Sequence, residues 1–256
     1  MLLTFIMTRL ISLLSIVLAI LLFIFTFEVF FRPITSINQD LGRHIKLGEI
    51  IWTTKHIPST NLFSYTSPNQ QFINHHWGSE VVYYLFYLVG GWNLLEIVHV
   101  VVALFAFGLI FYIGAKKSSI WTAGIVGSFY ALIILERTDV RPEVFGYLFT
   151  AIILSILLCR KLGTKEIIAL SLIEVVWVNM HISFIFGYIL AGLYVISYVY
   201  AKRLKNIPRT IFFVVPLMVL GGLVNPHGIL GLLEPLAIFQ NYGYSIVENQ
   251  TVFFLY

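Results

Sequence analysis

The stretch Leu10–Glu49, "LISLLSIVLAILLFIFTFEVFFRPITSINQDLGRHIKLGE", decides how this chain is read. From Leu10 to Phe31 it is apolar, with Glu28 as its one charge. A helix needs about 20 such residues to cross roughly 30 Å of hydrocarbon. Directly beyond, "NQDLGRHIKLGE" (Asn38–Glu49) gathers Asp40, Arg43, His44, Lys46 and Glu49. That is a dense cluster of polar chemistry for a chain of 256 residues that is 59% hydrophobic and 11% charged. Soluble domains carry about 25% charged residues. With a mean hydropathy of +0.91, the expected solvent is lipid.

Working outward, seven apolar segments suit membrane-crossing helices: about 10–31, 92–113, 119–136, 142–159, 166–179, 182–201 and 210–224. The first is too long for a secretory signal core and lacks a small-residue cleavage site, so it reads as an uncleaved anchor. The fifth and sixth are divided only by "VNMH", which calls for a tight hairpin or a broken helix. The expected fold is an all-α polytopic membrane protein forming one transmembrane domain over residues 1–256. Two further helices are expected in the first outer loop (32–91). Leu41, Ile45, Gly48 and Trp52 make an apolar face on one of them. "EVVYYLFYL" (80–88), too short to span, forms the other and stops at Gly90-Gly91; both should lie in the membrane interface, with Tyr83, Tyr84 and Tyr87 in its aromatic belt.

The basic residues set the orientation. Arg9, Lys116, Lys117, Arg160, Lys161, Lys165, Lys202, Arg203, Lys205 and Arg209 all fall on one side if the segments alternate. Cytoplasmic loops carry such an excess, so the amino terminus is expected inside, in the plasma membrane. The net charge of +4 then reflects topology and gives no ground for a nucleic-acid partner. A single cysteine, Cys159, excludes an intrachain disulfide.

The opposite side collects His44, His56, His75, His76, His181 and His227 with many of the carboxylates. Asp40 and His44, four apart, share a helix face and suit general-base chemistry. Arg137 and Arg141, with His181 and His227, offer a clamp for a phosphate. His76, Trp77, Glu80, Asn179 and Asn225 stand beside them as substrate contacts, with Trp77 or Tyr65 as a flat surface for a sugar ring. Glu174, within the fifth segment, is either a functional intramembrane carboxylate or one that snorkels outward. No nucleotide-binding glycine loop, HExxH, GxSxG or CxxC is present.

In order, "DLGRHIKLGE", "IPSTNLFSYT", "NHHWGSE", "GGW", "RPEVF", "WVNMH" and "NPHG" span residues 38–228. That series resembles the GT-C-type membrane glycosyltransferases, such as the dolichyl-phosphate-mannose protein mannosyltransferases and the lipid A aminoarabinose transferase. The resemblance implies a GT-C-like fold and a hexosyl- or pentosyltransferase of the cell envelope. Such an enzyme moves a sugar from a polyprenyl-phosphate donor to an acceptor on the extracytoplasmic face. It implies that Asp40 is the base toward the acceptor hydroxyl or helps to hold a divalent metal; His44 assists it. The series departs from the family where Leu41-Gly42 follows Asp40 without a second acid, and where Ile182 follows "WVNMH". That family continues past its seventh helix, so three alternatives stay open after residue 256: a truncated chain, a reduced protein, or a second chain that completes the fold; membrane lipid is an expected partner. Two other readings stay open: a non-catalytic membrane subunit or assembly factor, and a transporter of lipid-linked substrates.

Overall fold

The computed structural model describes residues 2–31, 34, 40–66, 70–134, 138–203 and 205–237, and these are all-helical apart from one isolated bridge, Thr60 to Gln71. The helices are α1 (Leu2–Phe30), α2 (Leu41–Thr54), α3 (Trp77–Lys117), α4 (Ile120–Ile134), α5 (Glu143–Cys159), α6 (Thr164–Val178), α7 (Ile185–Ala201), α8 (Val214–Gly222) and α9 (Ile229–Ala237). Short 3-10 turns, Ile182–Phe184 and Arg209–Phe213, lead into α7 and α8. Each of the seven apolar segments holds a helix. Among the described residues, three stretches are apolar and long enough to cross a membrane: Leu13–Phe30, Trp77–Lys117 and Ile182–Ala201. Leu13, Leu14, Ile20 and Leu21 of α1 are each about half exposed or more, a surface that lipid solvates better than water. The chain is therefore a membrane-associated helical protein.

Local chemistry explains where the helices begin and stop. Pro142 and Glu143 open α5, where a missing N–H costs nothing and a carboxylate meets the positive end of the helix. Glu166 turns back to accept the Gly163 N–H at 3.0 Å and so starts α6. Lys116 and Lys117 close α3 at its negative end. The break expected at Gly90-Gly91 is a kink inside α3: Gly91 has φ 60° and ψ −153°, a region open only to glycine. Helix α9 was not anticipated; it is nine residues long and has Pro235 inside it.

Contacts between helices fix their directions. Leu18 and Leu22 of α1 cover Gly124 and Gly127 of α4, so these two run parallel. Phe23 and Phe30 meet Phe107 and His99, so α3 runs against α1 beyond its kink. Gly114 lies on Ala123, folding α4 back along α3. Gly146 and Ile153 of α5 meet Ser183 and Gly187, so α5 and α7 are parallel. Ser171 donates to the Leu217 carbonyl at 2.7 Å and Asn179 to the Val224 carbonyl at 2.8 Å, making α6 and α8 parallel. Glu174 abuts Gly187 across the α6–α7 turn, so that pair is a hairpin. The directions alternate, and the basic loops at 116–119, 160–163 and 205–208 gather at the end opposite His44, His76 and His181.

The packing places several side chains differently from the local pattern. Helix α2 buries Leu41, His44, Ile45, Leu47, Gly48 and Ile51 against α3, while Trp52 is 43% exposed with the Lys55 ammonium 3.7 Å above its ring. The interface with α3 draws in His44 and Ile51 and turns Trp52 outward. Tyr83 is not in an aromatic belt; it is 1% exposed and packs on Phe145. Glu174 does not snorkel. It is fully buried, because Gly187 leaves room for its carboxylate, and its polar neighbour is the Tyr188 hydroxyl, outside regular hydrogen-bond geometry.

Candidate functional site

The polar groups of the histidine-bearing end come from four chain segments and meet around Glu80. Glu80, in the first turn of α3, is 0% exposed. Its Oε1 lies 3.0 Å from His44 Nδ1, and its Oε2 accepts from Asn74 Nδ2 at 2.6 Å. Asn74 Oδ1 in turn accepts the His76 N–H at 3.0 Å. A buried carboxylate is tolerable only with both oxygens so engaged. Nδ1 facing the carboxylate holds the ring proton there and leaves His44 Nε2 as the basic nitrogen. Helix α2 reaches this contact because Gly48 places no side chain against the Glu80 backbone.

The expected Asp40–His44 pair is thus replaced by His44–Glu80. The His44 N–H does bond the Asp40 carbonyl at 3.1 Å, but its ring turns into the protein. Asp40 stays exposed. Its carboxylate makes no cap bond and lies 3.8 Å from Arg43. Spacing of four puts two residues on one face without fixing which way a ring is drawn. Glu80, 36 residues away, gives no local signal.

Three more imidazoles cluster beside the dyad, tilted against one another. His76 lies 5.5 Å from His44, 4.6 Å from His75 and 5.0 Å from His181, ring centre to ring centre. His181 Nδ1 accepts from the Ser183 N–H at 3.1 Å and the Ser183 hydroxyl at 2.6 Å, so its proton sits on Nε2. Trp177 Nε1 donates to the same hydroxyl at 3.2 Å. Burial, then the neighbouring His75 and His44, pushes the His181 pKa down to about 3. Burial, then His227 and Arg43, lowers His75 to about 4. Burial and the surrounding imidazoles hold His76 well below the ordinary value. All three are neutral near pH 7.

This has a thermodynamic consequence. Unfolded histidines take up protons near pH 6.5, whereas these folded ones wait until about 4 and about 3. Between those values the unfolded chain binds more protons, so stability falls as pH falls. The contribution is complete above about pH 6.5 and drains away toward pH 4. Unfolding midpoints of the protein in micelles, followed by tryptophan fluorescence from pH 8 to pH 4, should drop in that window. His181→Gln should flatten the slope; a profile unaffected by that change would contradict the assignment.

The remaining expected contacts also make bonds within the protein. Trp77 Nε1 donates to Asn179 Oδ1 at 2.7 Å, and Asn179 Nδ2 donates to the Val175 and Val224 carbonyls. The Gly78 N–H and Ser79 hydroxyl bond the Asn179 and Met180 carbonyls at 2.8 Å each. This stitches the start of α3 onto the α6–α7 turn, and it leaves the Asn179 amide with no spare donor. Asn225 donates to the Gly222 and Gly228 carbonyls and accepts the His227 N–H, closing its own turn. Those bonds engage both asparagines within the protein. Tyr65 is wholly exposed. Arg141 is half-buried, His227 lies beside His75, and Arg137 lies outside the described residues. Asn74 and Ser183 carry the network yet were missed, since a lone asparagine or serine has no motif.

Among the described residues no three His, Cys, Asp or Glu side chains are placed to hold a metal ion. The one buried carboxylate among the imidazoles has a side-chain partner on each oxygen. The network borders a groove of about 410 Å³ between α5 and α7, within the ordinary range of ligand sites.

Fold and site together define an all-helical, membrane-associated protein with a histidine–carboxylate–amide network at one end. No protein-family model, curated protein or solved structure matches the chain.

Proposed function

We propose that the chain crosses the membrane seven times, amino terminus inside, and transfers a sugar from a polyprenyl-phosphate donor to an acceptor on the extracytoplasmic face. One observation carries this reading: a buried His44–Glu80–Asn74 network, with both carboxylate oxygens bonded, lies at the end opposite the basic loops, beside a groove open between two apolar helices. A helix bundle that merely spans lipid has no need to bury such groups, each costly unless paired.

In this proposal Asp40, exposed at the head of α2, takes the proton from the acceptor hydroxyl. The acceptor oxygen attacks the anomeric carbon, the bond from that carbon to the phosphate oxygen breaks, and polyprenyl phosphate leaves. Arg43, beside both Asp40 and the histidines, and Arg141 supply positive charge for the leaving phosphate. His181, being neutral, supplies none.

Membranes carrying the chain, supplied with a labelled polyprenyl-phosphate sugar, test this. Asp40→Asn should cut transfer by about 10²-fold or more, the usual worth of a general base. Folding should be unaffected, because the side chain is exposed and its ion pair is long. Undiminished transfer by Asp40→Asn, or none by the wild type, would sink the proposal.

A further inference from the structure

The groove between α5 and α7 has a charge character that bears on what it holds. Its walls include Tyr147 of α5 and Ile189 and Leu190 of α7, so a hydrocarbon chain entering from the bilayer meets an apolar lining. Its polar end is formed by Glu143, His181 and Ser183. Gly146 opens that end, since a side chain there would collide with the Ser183 hydroxyl. No lysine or arginine lines the groove among the described residues. A phosphate placed here would face the Glu143 carboxylate with no cation in the wall to offset the repulsion. His181 does not make up the deficit, because burial keeps it uncharged at neutral pH.

We infer that this groove binds a membrane lipid whose end group is a hydrogen-bond donor, a hydroxyl or an amine, and that it discriminates against a phosphate-ended chain. Glu143 accepts the donated hydrogen bond, and the His181 Nε2–H is left to bond the oxygen of a hydroxyl. On the transferase reading this lipid is the acceptor, and the donor phosphate lies elsewhere, nearer Arg43 and Arg141. The role of acceptor rests on that reading; the binding preference does not.

The test uses the full chain in phosphatidylcholine nanodiscs and two photoreactive probes that share one hydrocarbon chain, a long-chain alcohol and its phosphate monoester. Cross-linked peptides are identified by mass spectrometry. The alcohol should label α5 and α7 with half-saturation at a concentration at least tenfold lower than the phosphate ester. Glu143→Gln should shrink that ratio to within about threefold. Leu190→Trp should fill the groove and abolish labelling of both helices; Thr150→Phe, on the facing wall, does the same if Leu190→Trp fails to fold. Equal or tighter labelling by the phosphate ester overturns the inference. So does labelling that survives the filled groove, or the absence of labelling by either probe. Alcohol labelling without any sugar transfer would remove the transferase reading and keep the groove; transfer without labelling would do the reverse.

Discussion

Glu80→Ala should lower stability by about 3–5 kcal/mol, the scale for removing one partner from a buried ionic contact. Glu80 is completely buried, and its two oxygens are the side-chain partners of His44 Nδ1 and Asn74 Nδ2. Without it, two buried polar groups lose their bonds where water does not readily replace it. The loss should show as a lower midpoint in denaturant titrations of the protein in mixed micelles. Glu80→Gln should fall between, since its amide keeps one oxygen for Asn74. Adding His44→Ala to Glu80→Ala should cost much less than His44→Ala alone, because the pair is coupled. Additive costs would mean that the contact does not form. The same variants should lose sugar transfer in the assay that tests Asp40, and His44→Gln should separate a structural loss from a chemical one by sparing stability more than activity.

The second large effect concerns two glycines on one helix. Gly48→Ala should destabilise by about 1–3 kcal/mol, the cost of overpacking a tight contact. The new methyl would meet the Glu80 backbone carbonyl, which cannot rotate away as a side chain does. Helix α2 would have to lift, separating His44 from Glu80, so transfer should fall with stability. Gly42→Ala, on the same helix, meets nothing within 4 Å. It should be neutral or stabilise by up to about 1 kcal/mol through helix propensity. Equal behaviour of the two variants in thermal unfolding would refute the close approach of α2 and α3.

Much of the backbone plan was legible in the residues. Each of the apolar runs read from the sequence holds a helix, because that signal is local and repeated over many residues. Gly90-Gly91 marked the kink for the same reason: only glycine takes up φ 60° with ψ −153°. The histidine-rich end was legible as well, since alternation of the segments sorts the basic loops from the histidines whatever the details of packing. What failed were statements about individual side chains. Trp52 was placed on the apolar face of α2 with Leu41, Ile45 and Gly48, but the period of 3.6 allows either 51 or 52, and packing against α3 buries Ile51. Tyr83 looked like its neighbours Tyr84 and Tyr87 until Phe145 closed over it.

The candidate site divides along the same line. Sequence placed Asp40, His44, His76, Glu80 and His181 at one end of the molecule, because each lies next to a segment boundary. It paired His44 with Asp40, its neighbour one turn back. Tertiary structure paired it with Glu80 instead, through a helix contact that Gly48 permits. It also committed Asn179 and Asn225 to internal carbonyls and withheld charge from His181. Hydropathy and charge along the chain determined which residues reach the polar end of the bundle, because partition between lipid and water acts on each segment separately. Which of them bond, which are neutral and which remain exposed was decided only when helices distant in sequence came into contact.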